Sequence, residues 1–544
     1  LKDQTPSVFF KQIRPLLQHI IQKGLVHQFD QEPTRTARFF LEAGPLTVDI
    51  SKQPINNELI QLFTEYASQT QFTQKRDALF NGSPINTTEN RAVLHWLLRS
   101  AAPDNLTQEK QEVESTLIKM KQFVEAVTSG KWQSATGQKI KHIVNLGVGG
   151  SDLGPRLALG ALAEFRTNLD LHFVANIDGY DLSNTLESLN PHETLFVITS
   201  KTFTTLETLE NAKAAKAWLA AADILDVSQH FVAATSRPDS AQQFGIASDN
   251  IFPMWDWVGG RYSLLSSVGL SVMLGIGYDN FEALALGAQQ IDHHFQTTEL
   301  ENNVPFMLAV VGISAVNGLD MQNHAVISYD SRLELFSNYL QQLEMESNGK
   351  SVNLNGEAID YMTCPIVWGG IGTNTQHSFH QLLHQGKVES NVDFLMPTAI
   401  EANNKANLKT HTENLQANCL AQAQALLVGK NVQQVTSELQ AQGLNAESIA
   451  KLAPHKVISG NRPSTIIGYH DMSPKVLGAL IALYEHKVFV QSHFWDINAY
   501  DQWGVELGKK LSTPVYDGIH SKKLPINVDP STQAWIQRLH SPAL

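Results

Sequence analysis

HIVNLGVGGSDLGP, residues 142–155, decides the fold. A short apolar run ends in glycines, and a helical pattern begins near Leu153. A strand passing through a tight turn into a helix explains that order. The same events recur downstream. LHFVAN (171–176), TLFVITS (194–200) and HFVAAT (230–235) read as strands, with a helical stretch over 206–221. Repeated βα alternation predicts a parallel sheet with helices on both faces.

A second series starts near residue 324. HAVISYD, CPIVWGG, VDFLMPT and STIIGYH read as strands. SRLELFSNYLQQLEMES and HSFHQLLHQG read as helices, the latter capped by Gly386. Further helices are expected from Pro474 and near Asp501, and residues 269–318 look wholly helical and separate the two sheets. EANNKANLKTHTENLQANCLAQAQALLVGKN (401–431) has the periodicity of a surface helix.

The chain has 544 residues, 42% of them apolar, enough for two or more domains. A formal charge of −13 leaves no broad basic footprint, so no nucleic-acid partner is expected. Two cysteines, Cys364 and Cys419, cannot build a disulfide framework or a cysteine zinc site, which fits a reducing, cytoplasmic setting. The chain opens at Leu1 rather than Met, so the natural N-terminus is expected upstream. Charges interrupt the opening residues, which excludes a secretion signal. Phe9, Phe10, Ile13, Leu16, Leu17, Ile20 and Ile21 instead follow helical spacing. The longest greasy run, VPFMLAVVGISAVNGL, is shorter than the ~20 residues of a spanning helix, and no membrane association is expected.

Several stretches point to chemistry. In NLGVGGSDLGP, Gly147 and Gly149 fit a dinucleotide fingerprint, but its third glycine position holds Asp152. Asp178 follows the next strand and can mimic a ribose-binding acid, so that reading stays open beside a ligand-free turn and an anion site at Ser151. NGKS (348–351) lacks the glycine a P-loop needs, since position 344 is Glu. In SKTFTT (200–205), Thr204 and Glu207 have capping-box spacing. Ser200, Thr202 and Thr205 are then spare hydroxyls at a helix start, suited to a phosphate monoester, against the plainer reading of a well-capped helix.

In WDWVGGRYSLLSS, Gly259-Gly260 allow a tight turn that sets Arg261 as a buried, fixed cation rather than a surface ion pair. In QQLEMESNGK, Glu346 extends the face made by Phe336, Tyr339, Leu340 and Leu343. Desolvation and the helix C-terminus would both raise its pKa toward that of a useful base. His377, His380 and His384 fall on one helical face. No acidic or cysteine ligand is interleaved, so one functional His near the helix start is preferred to a metal site. In YDQWGVELGKK, Lys509 follows a turn in which Trp503 and Leu507 would be buried.

NLGVGGSDLGP, SKTFTTLET, DWVGGRYSLLSS, QLEMESNGK, GTNTQHSFHQLLHQG and DQWGVELGKK, in this order over about residues 145–510, resemble the glucose-6-phosphate isomerase family. The resemblance implies an α/β fold: two sugar-isomerase (SIS) type doubly wound parallel-sheet domains in αβα sandwiches. It divides the chain into an N-terminal helical segment (1–104), a phosphate-binding domain (105–275), a base-bearing domain (276–505) and a C-terminal helical tail (506–544). It implies reversible conversion of glucose 6-phosphate to fructose 6-phosphate through ring opening and a cis-enediolate. Ser200, Lys201, Thr202 and Thr205 would hold the phosphate, with Gly150 and Ser151 nearby. Glu346 would be the base, Arg261 the enediolate's cation, and His377 and Lys509 the ring-opening groups, while Gln342 and Gln502 would touch substrate. It further implies a homodimer with His377 reaching into the neighbour's site, and no metal or organic cofactor. The chain departs from the family pattern at Gly370-Ile371 (usually Glu-Pro), Thr375 (Gly), Leu265 (Trp) and His380 (Tyr). A non-catalytic sugar-phosphate sensor and a dinucleotide enzyme are the competing readings.

Overall fold

The computed structural model describes residues 5–399, 408–523, 525 and 528–540, which divide into a unit ending at Ala499 and a second starting at Tyr500. In the first unit a hairpin, β1 (Phe40–Ala43) and β2 (Leu46–Asp49), precedes two βα series. The first series carries β3 (His142–Leu146), β4 (Asp170–Val174), β5 (Thr194–Thr199), β6 (Phe231–Thr235) and β7 (Ile251–Pro253). The second carries β8 (Asn323–Ser328), β9 (Ile366–Ile371), β10 (Asn391–Pro397) and β11 (Ser464–Tyr469).

The first sheet is wholly parallel, in the order β4-β3-β5-β6-β7. Every residue of β5 and β6 is buried, as expected for strands covered by helices on both faces. The chain leaves β3 toward β4 and then crosses to β5 on the other side. That reversal creates a crevice beyond the carboxyl ends of β3 and β5. Leu146 pairs with Ile198, so the loops after these strands leave the sheet side by side.

The second sheet runs β1-β2-β11-β10-β8-β9. Strands β11, β10, β8 and β9 are parallel, with β9 at one edge, but β2 pairs antiparallel with β11. The N-terminal segment, expected to be helical, therefore also completes this sheet. Helix Pro6–Lys23 does form, burying Phe9, Phe10, Ile13, Leu17 and Ile20. The hairpin escaped notice because its strands are only four residues each. Helix Lys409–Val428 matches the expected surface helix, whose first residues, 401–407, lie outside the described residues.

Helix Pro474–Phe494 lies at the centre of the unit and is buried at every residue but Lys475. It has no polar face, so its charges need partners. Arg99 meets Asp292 through two 2.8 Å hydrogen bonds and Glu485 at 2.7 Å. Burial pushes the Glu485 carboxyl up to about 7 despite Arg99. Lys487 lies 3.0 Å from Glu344 and 3.3 Å from His324, which in turn meets Asp393 at 2.8 Å. Burial alone would raise the Glu344 carboxyl, but Lys487 and His324 outweigh it and hold it at about 2.

The second unit contains helices Glu506–Ser521 and Pro530–His540, tied by a 2.9 Å contact between His540 Nε2 and the Ile519 carbonyl. Trp503, Leu507, Leu511 and Tyr516 are each more than half exposed there. The burial expected for Trp503 and Leu507 does not occur within one chain. Among the described residues no helix is long and apolar enough to cross a membrane.

Candidate active site

The turn after β3 takes its shape from its glycines. Gly149 has φ +59°, a left-handed conformation that side chains disfavour. A Cβ on Gly150 would lie 2.0 Å from the Gly260 carbonyl oxygen and 2.9 Å from the Arg261 amide. Only a residue without a side chain lets these two turns touch. A Cβ on Gly147 would meet the Thr199 carbonyl at 3.2 Å, and one on Gly149 would meet Gln342 Nε2 at 3.2 Å. The glycine turn thus borders the hydroxyl loop, the arginine turn and the Gln342 segment. Asn145, fully buried on β3, ties two of them: its amide donates to the Ser151 carbonyl at 3.0 Å and its oxygen accepts from Thr199 at 3.2 Å.

In the hydroxyl loop the expected capping box is absent. Helix Leu206–Ala220 starts after Thr205 with no side-chain cap. Phe203 has φ +51° and buries its ring, which turns Thr204 outward, where its hydroxyl donates to Thr202 at 2.8 Å. Ser200 donates to Thr205 at 3.1 Å. All four hydroxyls therefore gather beside the first turn of a helix whose amides are unsatisfied. Lys201 donates to the carbonyls of Asp256 and Val258 at 3.1 and 3.2 Å, bridging this loop to the arginine turn. Burial lowers its pKa, with Asp256 opposing.

Arg261 is 3% exposed, as a fixed cation requires. Its Nε donates to Ser347 Oγ at 2.6 Å and Nη2 to the Ala499 carbonyl at 2.6 Å, while Nη1 stands 3.5 Å from Glu346 Oε2. Glu346 closes a π-helical segment, Gln341–Glu346. The expectation of an apolar surround is corrected here. Glu344, four residues after buried Leu340, lies within the buried face and is the fully buried carboxylate, whereas Glu346 sits at the edge of that face, one-quarter exposed against a guanidinium.

The three histidines do not share a face. The chain passes from a 3-10 turn, Asn374–His377, into helix His380–Gln385, which leaves His377 exposed and buries His380. His380 faces Thr375 Oγ1 at 3.2 Å and Gln422 Oε1 at 3.1 Å, and His384 meets the same Gln422 oxygen at 2.7 Å. Gln376 donates to the Tyr329 hydroxyl at 2.8 Å, anchoring the turn that carries Thr375 and follows Gly370-Ile371 at the end of β9. Gln502 and Lys509 lie exposed in the second unit. Asp178, the acid that could have served a dinucleotide, caps helix Gly179–Glu187 through the Tyr180 amide, and Asp152, at the third glycine position, pairs with Arg156 at 2.8 Å.

Sequence reasoning missed Asn145, Tyr262, Glu344, Ser347 and Lys487. Only Lys487 left a signal, as a charge inside a helix with no polar face.

A family model described as phosphoglucose isomerase matches residues 49–536. The chain is 45% identical over 517 residues to the glucose-6-phosphate isomerase of Marinomonas sp. (strain MWYL1), covering 94% of each. It is 46% identical over 525 residues to that of Francisella tularensis subsp. tularensis (strain FSC 198), covering 95% of this chain and 96% of the relative. The crystal structure of a glucose-6-phosphate isomerase from Chlamydia trachomatis superposes with a TM-score of 0.82 at 28% identity, over 96% of this chain and 98% of the other.

Proposed function

The chain belongs to the phosphoglucose isomerase family, and from that premise we propose that it interconverts glucose 6-phosphate and fructose 6-phosphate through a cis-enediolate. Ser200, Thr202, Thr205 and the amides at the start of helix Leu206–Ala220 hold the phosphate, with Lys201, Gly150 and Ser151 beside them. This anchors the unreactive end and keeps the reacting carbons in place. His377 and Lys509 assist ring opening, and Gln342 and Gln502 contact the sugar. Glu346 then takes the proton from C2 and returns it at C1. The adjacent carbonyl makes that proton acidic, and Arg261 meets the negative charge that develops on its oxygen. Such pre-aimed charge is often the largest catalytic contribution. No electrons are gained or lost overall, so the chemistry calls for no redox cofactor.

The observation that carries this reading is the Arg261–Glu346 contact at 3.5 Å, on a turn that touches Gly150 and, through it, the hydroxyl loop. A half-buried base against a buried cation suits proton transfer beside a developing anion. The division into a phosphate-binding domain (105–275) and a base-bearing domain (276–505), with flanking segments 1–104 and 506–544, follows the same proposal. So does a cytoplasmic homodimer: exposed His377 is free to reach a neighbour, and Leu507, Leu511 and Tyr516 offer apolar surface to one.

A coupled assay for fructose 6-phosphate, with and without chelator, tests the activity. In the Glu346→Gln variant turnover falls by about three orders of magnitude or more, while substrate still binds by calorimetry. Retained turnover removes Glu346 as the base. Binding without turnover in the wild type favours the sensor reading.

A further inference from the structure

Glu346 and Arg261 come from different parts of the chain, and the contact between them is loose. At 3.5 Å, with the carboxylate one-quarter exposed, such a pair alone contributes little. It also fails when most needed. As the C2–H bond breaks, its electron pair enters the C1–C2 bond of the enediolate, and the proton forms an O–H bond on Glu346. The carboxyl is then neutral and no longer attracts the guanidinium, while the enediolate oxygen carries the charge that Arg261 must meet.

The Ala499 carbonyl holds Nη2 at 2.6 Å, and Ser347 holds the Nε edge that joins Arg261 to the base segment. Ser347 follows Glu346 directly, so only one peptide, ~3.8 Å between Cα atoms, separates them. Its side chain is fully buried. Its Oγ accepts from Arg261 Nε at 2.6 Å and lies 2.9 Å from the Tyr262 hydroxyl. Tyr262 is itself buried and packs on His95 at 4.7 Å between ring centroids. A hydroxyl so enclosed cannot reach substrate, and its bond to Arg261 does not depend on whether Glu346 holds a proton.

Resting on the isomerase reading, we propose that Ser347 is a positioning residue: it holds Arg261 in register with the base through the half of the cycle in which Glu346 is protonated. The requirement is an acceptor at this point. Alanine removes it, and cysteine keeps the size but accepts weakly.

Turnover by the wild type is established first; its absence defeats the isomerase reading, not this one. With wild-type turnover in hand, Ser347→Ala is expected to lower kcat by roughly ten- to a hundred-fold, with KM changed by less than about three-fold. Two competitive ligands separate positioning from general loosening. A five-carbon aldonic acid phosphate places a carboxylate where enediolate charge develops, and a six-carbon alditol phosphate keeps the phosphate without that charge. The variant should bind the first roughly ten-fold more weakly and the second unchanged. If Ser347→Ala does not fold, Ser347→Cys is read by the same measurements. Wild-type kcat in either variant, equal weakening of both ligands, or failure of both variants to fold overturns the proposal.

Discussion

Replacing Lys487 by methionine puts a number on the charges inside the central helix. The ammonium lies 3.0 Å from Glu344 and both side chains are 1–2% exposed, so removing it leaves the carboxylate in the interior with His324, 3.7 Å away, as its charged partner among the described residues. The Glu344 carboxyl moves from 4.5 in the unfolded chain to about 2 in the folded one. At about 1.36 kcal/mol per pKa unit, that displacement, the net of Lys487 and His324 together against burial, represents about 3 kcal/mol. It falls within the ~3–5 kcal/mol typical of breaking a buried pair. At about 2.1 cal/mol/K per residue, the 499-residue unit loses about 1 kcal/mol per degree near its melting point. Lys487→Met should therefore lower Tm by about 3 °C in scanning calorimetry at pH 7. The pH dependence is sharper still. A lowered folded-state pKa gives stability that is complete above about 4.5 and lost only as pH falls toward about 2, so in the wild type Glu344 contributes evenly between pH 7 and 5. In the variant the stranded carboxyl has a raised pKa and gains stability as it protonates. The gap between the two proteins should narrow from pH 7 to pH 5. Replacing Glu344 by methionine as well should recover most of the loss. A Tm change below 1 °C, or a gap constant across that interval, refutes the argument.

Gly150→Ala drives a methyl group into the Gly260 carbonyl oxygen, 2.0 Å away, so backbone must move. Separation of the glycine and arginine turns should cut kcat/KM by more than about a hundred-fold, and a variant within three-fold of wild type would contradict the packing. Leu507→Ser with Leu511→Ser removes two residues that are 65% and 52% exposed, so single-chain stability should change by less than about 0.5 kcal/mol. Self-association measured by sedimentation velocity should weaken by at least ten-fold; an unchanged profile excludes this surface from the subunit contact.

The strands of both βα series were legible, except β7, because each is a short apolar run bounded by glycine or a polar turn; β7, only three residues long, carries too little pattern. The hairpin was not, since four-residue strands carry too little pattern beside strong helical periodicity. Arg261 and the hydroxyl loop stood out because their residue types have no simpler use. Glu346 was legible as a partly desolvated carboxylate at the end of an apolar face, but the guanidinium beside it was not, nor was Glu344, which the same period carries inward four residues after Leu340. The shared histidine face failed where a 3-10 turn gives way to an α-helix between His377 and His380. Ser347 and Tyr262 could not be read at all, because their importance lies in which distant side chains they meet.

The antiparallel edge of the second sheet constrains how this protein is made. Val48 pairs with Ile467, about 420 residues downstream. At ~5–20 residues per second, roughly 20–80 s pass on the ribosome between the appearance of the hairpin and that of its partner strand. Throughout that interval one edge of β2 presents unpaired amides and carbonyls, a template for pairing with any other nascent chain. The last strand to be synthesised must be delivered to one of the first, so biogenesis depends on a long wait by an exposed ribbon, and holding chaperones have a defined segment to guard.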